Sequence, residues 1–350
     1  MTARPRILVV LGTKAWRVWI LPFLEDSRFA TEVVHRPPRA LRPGEYDVVV
    51  FLSRHDTLRR DAGIAAALAA ARIQSIVCQP ETMVKLGMSK RLMARRAAVV
   101  EGMEAIPELT PADAAKYLAA KPGRIVVAKP NDGTEGDGLQ LFRQAGNLST
   151  TGTRLYEGGH VLQPFLAGDE FSINMVWHGG RSNIYPPVSK GAVDAHATHP
   201  IFRTRTCPAE PQRDPCWPRL MESCFRYLEP FKPEGPVELE FIRCRGRFYL
   251  LDVNPRLSAT LRLKAVAAAT NPLTDLIAAA CGRGELGGAV RNRRHALEWP
   301  LMHSIEQDVR DELAGRAYVW ISTRVTLAAP DEATLAARAA DVRATLRARP

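Results

Sequence analysis

The chain has 350 residues, of which 46% are hydrophobic, enough to bury a large core and to form two or three lobes. No apolar run approaches the roughly 18 residues of a membrane span, and the apolar stretch after residue 6 is too brief for a signal peptide, so we expect a cytoplasmic globular protein. The formal net charge is +11, but the arginines are scattered along the sequence and do not form a basic stripe with interleaved aromatic residues. No nucleic-acid partner is therefore expected.

Short β-branched runs alternate with helical patterns over residues 1–80. The predicted strands cover residues 7–10, 32–34, 47–51 and 74–78, and an Ala-rich helix begins at Asp61. Buried apolar strands separated by helices are typical of a small parallel sheet. Only Gly12 follows the first strand, where a dinucleotide-binding turn needs several glycines, so no nucleotide site is expected in this lobe.

A strand, a glycine-rich turn and a second strand follow a helical region. Residues 80–100 have a helical pattern, and Thr110 predicts the N-cap of a further helix. The first strand, residues 124–130, contains Lys129 near its end, and the second covers residues 139–142. Glycine N–H groups in such a turn can fold over a phosphate beside a lysine, although the same pattern also fits an ordinary hairpin. The glycines of this turn are Gly133, Gly136 and Gly138.

Polar side chains interrupt the next predicted strands, which cover residues 160–163, 170–177, 237–242 and 247–253. Asp252 and Asn254 share one strand face because side chains alternate with period two, and Glu240 lies on the paired strand. Oxygen ligands of this kind predict a Mg²⁺ site, the alternative being a salt-bridged surface hairpin. Residues 182–215 are predicted as a long loop that acts as a lid.

Five elements together resemble the ATP-grasp superfamily in their order and spacing. They are Lys90, the Lys129 strand with its glycine turn, Gln163-Pro164-Phe165-Leu166 followed by Glu170, Glu240, and Asp252-Val253-Asn254-Pro255-Arg256. The resemblance covers about residues 80–284. It implies an α/β and α+β architecture, the ATP-grasp fold, with an N-terminal Rossmann-like parallel-sheet lobe and a nucleotide held between two α+β lobes. The implied lobes are residues 1–85, 86–160, 161–284 and 285–350.

The resemblance also implies which residues bind ATP. Lys90 and Lys129 would hold the α and β phosphates, while Gly133, Thr134, Gly136 and Gly138 would close over the triphosphate. Gln163, Pro164, Phe165 and Leu166 would form the hinge whose main chain contacts adenine, and Glu170 would bind the ribose hydroxyls. Lys190 either contacts the γ-phosphate or is an ordinary solvated lysine.

The metal and catalytic residues follow from the same resemblance. Glu240, Asp252 and Asn254 would bind Mg²⁺, with Mn²⁺ as an alternative ion. Arg256 would face the transferred phosphate or the substrate carboxylate, and Arg262 is a second candidate for stabilising the tetrahedral oxyanion. The family commonly has Glu where this chain has Gln163 and Asp252.

The function implied is an ATP-dependent, ADP-forming ligase that activates a carboxylate as an acyl phosphate and joins it to an amine. An amino-acid or dipeptide ligase of specialised metabolism is the form expected, acting on small-molecule carboxylates and amines, with no membrane or nucleic-acid partner and with a homodimer as the default assembly. Two alternatives stay open: a carboxylase or carbamoyl-phosphate-type enzyme, and a nucleotide-binding regulator without turnover.

Overall fold

Four short parallel strands form the first sheet, close to where the apolar runs predict them. The computed structural model describes residues 4–14, 17–37, 41–71, 75–133, 138–193, 203–209, 215–301, 307–313, 317–320 and 324–347. The first elements are β1 (Arg6–Leu11), α1 (Arg17–Leu24), β2 (Ala30–Val34), β3 (Val48–Leu52), α2 (Leu58–Ala70) and β4 (Ile76–Val77). The strand order is β2-β1-β3-β4, with every pair parallel. The predicted parallel-sheet lobe is confirmed.

A small antiparallel sheet with helices beside it comes next. Its region contains α3 (Glu81–Gly87), α4 (Lys90–Ala97), β5 (Glu104–Ala105), α5 (Pro111–Ala119), β6 (Val126–Pro130), β7 (Gln140–Phe142), α6 (Ala145–Asn147), α7 (Thr153–Glu157) and β8 (His160–Pro164). The order is β7-β6-β8. Helix α5 begins as predicted, because the Thr110 hydroxyl accepts a hydrogen bond from the Asp113 amide at 3.1 Å. Leu118 of α5 packs on Val126 and Leu162 of the sheet.

The remaining strands join a large, mainly antiparallel sheet. The elements are β9 (Gly168–His178), β10 (Arg181–Ile184), β11 (Val188–Val193), β12 (Arg205–Cys207), α8 (Trp217–Leu228), β13 (Gly235–Cys244), β14 (Arg247–Asn254), α9 (Ala259–Ala268), α10 (Pro272–Ala280), β15 (Gly288–Ala289), β16 (His295–Pro300), α11 (Gln307–Leu313), β17 (Tyr318–Trp320), β18 (Arg324–Ala329) and α12 (Glu332–Arg347). The main order is β17-β18-β16-β12-β11-β9-β13-β14-β5, and β10 and β15 pair beside β9.

The prediction of one long loop over residues 182–215 is wrong. This stretch contains most of β10 and all of β11 and β12, and these three strands belong to the large sheet. All three strands are short and contain polar residues, and β11 is interrupted by Gly191, so the local pattern gave little indication of strands. Pairing of β11 with β9 and of β12 with β16 fixes them as strands instead.

The C-terminal strands also extend this sheet, since β18 pairs with β16. Helix α12 follows β18, and β16 lies where no strand was predicted. None of the described helices combines the length and the apolarity needed to cross a bilayer.

Alternation along the central strands gives the large sheet one apolar and one polar face. Ile173 of β9 and Leu239 of β13 pack in a core that includes residues of α3, α4 and α8. The neighbouring residues Ser172 and Glu238 therefore point to the opposite face, where α9 lies. Ser172 and Glu238 are buried although polar, which marks this face as the place to look for chemistry.

Candidate active site

Three carboxylates and an amide meet on the β13–β14 hairpin, on the polar face of the large sheet. Strand register pairs Glu240 with Asp252 and Glu238 with Asn254. The Asn254 amide donates to Glu240 Oε1 at 3.1 Å and to Glu238 Oε2 at 3.3 Å. Arg256 then donates from Nη2 to Asn254 Oδ1 at 3.1 Å. Glu238, Glu240, Asn254 and Arg256 thus form one hydrogen-bonded group, and strand register places Asp252 beside it.

Two lysines from other elements converge on these carboxylates. Lys190 of β11 lies 2.7 Å from Glu240 Oε1 and 3.5 Å from Glu170 Oε1, and its side chain is 6% exposed. Lys90, the first residue of α4, lies 3.3 Å from Asp252 and donates to the Gly133 carbonyl oxygen at 3.0 Å. Lys190 is therefore not an ordinary solvated lysine, because it is buried and joins the buried Glu170 to the partly buried Glu240.

Crowding of acids perturbs the ionisation of Glu240. Burial raises its pKa to about 7. The nearby Glu238, Glu170 and Asp252 also raise this pKa, whereas Lys190 lowers it. Burial also disfavours the charged form of Glu238, but Lys190, Lys264 and the Thr260 hydrogen bond outweigh it and lower the pKa to about 2. A carboxylate held partly neutral by burial and by neighbouring carboxylates fits a place where a cation would bind.

The oxygen ligands of the hairpin fit an open Mg²⁺ site, which phosphates and water complete, better than a metal site built from protein ligands alone. Across the described ranges, no cluster of three or more His, Cys, Asp or Glu side chains is arranged to hold a metal. Glu240, Asp252 and Asn254 offer instead two carboxylates and one amide oxygen, and Mg²⁺ typically takes one or two carboxylates and leaves its other positions to phosphates and water. These residues would hold the ion together with a nucleotide.

Lys129 approaches the same centre from β6. It is partly buried, and desolvation lowers its pKa to about 8, helped by the positive charge of Lys90. The glycine turn begins beside it: a Cβ at Gly133 or at Gly138 would lie 3.0 Å from Pro130, and Gly138 has a φ of +72°. Thr134 and Gly136, also predicted to contact phosphates, lie outside the described residues.

The predicted hinge connects the small and the large sheets. Gln163 and Pro164 end β8, and the Phe165 amide donates to the Ile125 carbonyl at 2.9 Å. The Gln163 side-chain amide donates to the carbonyl of Ile106, the residue after β5, at 3.2 Å, which links the hinge to the edge of the large sheet. Leu166 is the last of the predicted hinge residues, and Glu170 lies near the start of β9, close to Lys190.

The structure does not bring Arg262 to the hairpin carboxylates, contrary to its predicted role at the reacting oxyanion. Its side chain is 1% exposed and its Nη2 donates to Glu298 Oε2 at 2.6 Å. Arg205 and Arg324 also contact Glu298, at 3.1 and 3.2 Å, respectively. Arg262 was predicted from its nearness to Arg256 in sequence, but the first turn of α9 directs its side chain toward β16.

Polar groups beneath the hairpin were not among the predicted site residues. Thr260 donates to Glu238, and it also lies 2.9 Å from Asn174 Oδ1 and 3.0 Å from Ser258 Oγ. The ammonium group of Lys264 donates to the Ser172 carbonyl at 2.9 Å, and its side chain is fully buried. Polar residues at alternate positions of the 170–177 strand were the available signal, since an apolar strand rarely carries them without a partner.

The comparisons with known proteins agree with this geometry. Residues 99–260 match the ATP-grasp domain family. This range contains Lys129, the hinge, Glu240 and Asp252. We therefore assign residues 99–260, a little under half of the chain, to an ATP-grasp domain.

One curated relative is carbamoyl-phosphate synthase from Methanobrevibacter smithii, 23% identical over 158 residues, which are 43% of this chain and 41% of the relative. The chain therefore aligns with well under half of that protein. The L-amino acid ligase from Bacillus licheniformis has a similar structure, with a TM-score of 0.68, 15% identity and 98% coverage of both chains.

A further similar structure is the biotin carboxylase domain dimer of the Hydrogenobacter thermophilus 2-oxoglutarate carboxylase, in complex with MgADP and bicarbonate. Its TM-score is 0.67 at 12% identity, with 94% of this chain and 87% of that chain covered. At such low identities these likenesses establish the ATP-grasp fold and leave the substrate of this chain undetermined.

Proposed function

We propose that the chain is an ATP-dependent, ADP-forming ligase that activates a carboxylate as an acyl phosphate and joins it to an amine. The observation that carries this proposal is the convergence of Lys90, Lys190 and Lys129 on the acids of one hairpin. Cations from three separate elements surround Glu240 and Asp252. In a complex with a triphosphate, these cations would bind the phosphates and the acids would bind its metal ion.

The nucleotide would lie between the small and the large sheets. In this proposal Lys129 and Lys90 contact its phosphates, the glycine turn from Gly133 covers them, and the hinge after Gln163 receives the adenine. Glu170 would contact the ribose. Its present ion pair with Lys190 fixes the carboxylate in position, where its oxygens can accept hydrogen bonds from hydroxyls.

Glu240, Asp252 and Asn254 would hold Mg²⁺, which when bound neutralises charge on the phosphates. An oxygen of the substrate carboxylate attacks the γ-phosphorus, the bond between that phosphorus and the β–γ bridging oxygen breaks, and ADP leaves. The amine nitrogen then attacks the acyl carbon, loses a proton, and phosphate departs with the bonding electrons. Arg256, which donates a hydrogen bond to Asn254, would face the oxyanion or the phosphate.

Carboxylase or carbamoyl-phosphate chemistry is the second candidate, because it needs the same nucleotide site. The carbamoyl-phosphate synthase relative and the likeness to a biotin carboxylase domain favour it. In that case bicarbonate would replace the organic acid as the phosphate acceptor. The amino-acid ligase likeness, which covers 98% of both chains, supports the leading proposal.

The test is ADP and phosphate release from Mg-ATP against pools of amino acids, other carboxylates, amines and bicarbonate, with mass spectrometry of every responding pool. ADP together with a product one water lighter than the sum of its precursors is the expected result. Bicarbonate-dependent release without an organic acid would favour the second candidate. AMP release would contradict the acyl-phosphate mechanism, and nucleotide binding without turnover in any pool would favour a regulator.

A further inference from the structure

A row of charged side chains crosses the polar face of the large sheet beyond the hairpin. It runs from Glu240 through Lys190 and Glu170 to Arg203, with consecutive ion pairs of 2.7, 3.5 and 2.5 Å. Glu170 and Arg203 have side chains that are 7% and 12% exposed. The candidate active site is thus connected by ion pairs to a second group of cations.

That second group surrounds Glu298 on β16. Register places Arg205 of β12 opposite Glu298, and Arg262 and Arg324 reach the same carboxylate. Glu298 is fully buried, and the three guanidinium groups lower its pKa to about 2 despite its burial. Arg324 also donates to the Arg203 carbonyl oxygen at 3.4 Å, so Arg203 lies next to this cluster.

Arg203 and Arg205 have donor groups that the described residues leave unused. A guanidinium carries five N–H donors, and only Nη2 of Arg203 has an acceptor, Glu170. Within the described part of the chain, Nε and Nη1 of Arg203 and Nε of Arg205 are buried and have no hydrogen-bond partner. A buried N–H group of a charged side chain that makes no hydrogen bond is unfavourable. We therefore expect an acceptor from outside the described residues.

We propose that Arg203, with Arg205 beside it, binds the carboxylate group of a substrate. A planar guanidinium matches a carboxylate in shape and charge, and the ion-pair row joins this position to the carboxylates proposed to hold Mg²⁺. The inference rests on the proposed function and deepens it by naming a substrate class: a molecule with a carboxylate besides the groups that react. This carboxylate belongs either to the amine substrate, as in an amino acid, or to a dicarboxylic acid.

The test is thermal unfolding of the whole chain, with and without Mg-ADP, in the presence of amino acids, dicarboxylic acids and their matched amides. A stabilising carboxylate whose amide has no effect is the expected result. Comparing amino acids with amino-acid amides, and dicarboxylic acids with their monoamides, distinguishes the two sources. We expect Arg203→Gln to weaken binding of the stabilising compound roughly 10-fold or more, as loss of a charged hydrogen bond does.

Two further variants separate binding from folding. Arg203→Lys keeps the charge beside Glu170 but lacks the guanidinium, and it should bind the carboxylate more weakly than wild type and more tightly than Arg203→Gln. Arg219→Gln removes an exposed arginine of α8 that pairs with Glu101, and it should bind like wild type. Ligand-free unfolding of each variant gives the baseline.

The proposal fails if carboxylate and amide stabilise equally, if no carboxylate in either set stabilises wild type, or if Arg203→Gln keeps the full shift. ADP release, measured separately, tests the ligase function. Stabilisation by a carboxylate without any ADP release would contradict the proposed function while supporting the Arg203 site. ADP release with no preference for a carboxylate over its amide would support the proposed function and contradict the Arg203 site.

Discussion

Replacing Lys129 with Met should make the free protein more stable and at the same time weaken its binding of nucleotide. The Lys129 pKa is lowered from 10.5 to about 8, mainly because its ammonium group is desolvated and faces Lys90. A lowered lysine pKa means that the charged form is disfavoured in the folded state. By linkage the difference corresponds to about 3 kcal/mol in the free energy of unfolding at pH 7, as an upper bound.

The sign of the effect sets its pH window. Below pH 8 the lysine is charged in both states, so the folded state bears the full penalty and Lys129→Met gains most. Between pH 8 and about 10.5 the folded state has lost the proton while the unfolded state still holds it, and the gain shrinks. Above that range the lysine is neutral in both states. Urea unfolding of both proteins at pH 7 and pH 10 measures the difference.

Nucleotide binding should change in the opposite direction. Loss of a charged partner for a phosphate weakens binding by roughly 10- to 100-fold, which calorimetric titration with Mg-ADP at pH 7 would detect. Lys85→Met is the matched control, because Lys85 is exposed and pairs only with Glu81 among the described contacts. It should change neither property appreciably. A Lys129→Met protein that is less stable than wild type at pH 7, or that binds Mg-ADP with unchanged affinity, would refute the reasoning.

Three other substitutions have expected outcomes of different kinds. Asp252→Asn should raise the Mg²⁺ concentration needed for half-maximal Mg-ADP binding at least tenfold, and an unchanged Mg²⁺ titration would exclude Asp252 as a ligand. Glu298→Gln should lower the free energy of unfolding by about 3–5 kcal/mol at pH 7; because the Glu298 pKa is lowered to about 2, the difference from wild type should be full above about pH 4.5 and fall as the pH drops towards 2. Gly87→Ala places a Cβ 2.3 Å from Pro255 Cδ, so it should destabilise by about 1–3 kcal/mol and reduce turnover by displacing Arg256; wild-type unfolding and turnover would show that α3 can shift.

Local patterns predicted the parts of the fold in which the sequence itself carries the cause. The apolar runs after Arg6 and after Asp47 can only be buried, and they lie in the two central strands of the first sheet. Thr110 followed by Pro111 begins a helix because its hydroxyl meets a free amide. The acids of the hairpin converge because alternation and register bring Glu240 opposite Asp252.

Partners distant in sequence decided the rest. Arg262 was predicted to face a substrate because it follows Arg256, yet a carboxylate on another strand, Glu298, holds its side chain. Lys190 has no local signal that separates it from a solvated lysine, and only the sheet order places β11 next to β9, where it meets Glu170. Ion pairs form between residues that are close in space but distant in sequence, and the sequence does not give the distance or direction between their side chains.

The sequence by itself determined the chemistry available: three lysines, a glycine turn, and an acid-rich hairpin ending in Asn254 and Arg256. The tertiary structure decided which of these groups share one face, because pairing of β9, β11 and β13 aligns side chains that lie far apart in the chain. It also showed the charged row that ends at Arg203. The alternation of side chains along a strand follows from local backbone geometry. Ion pairs between strands depend instead on a register that only the packed sheet fixes.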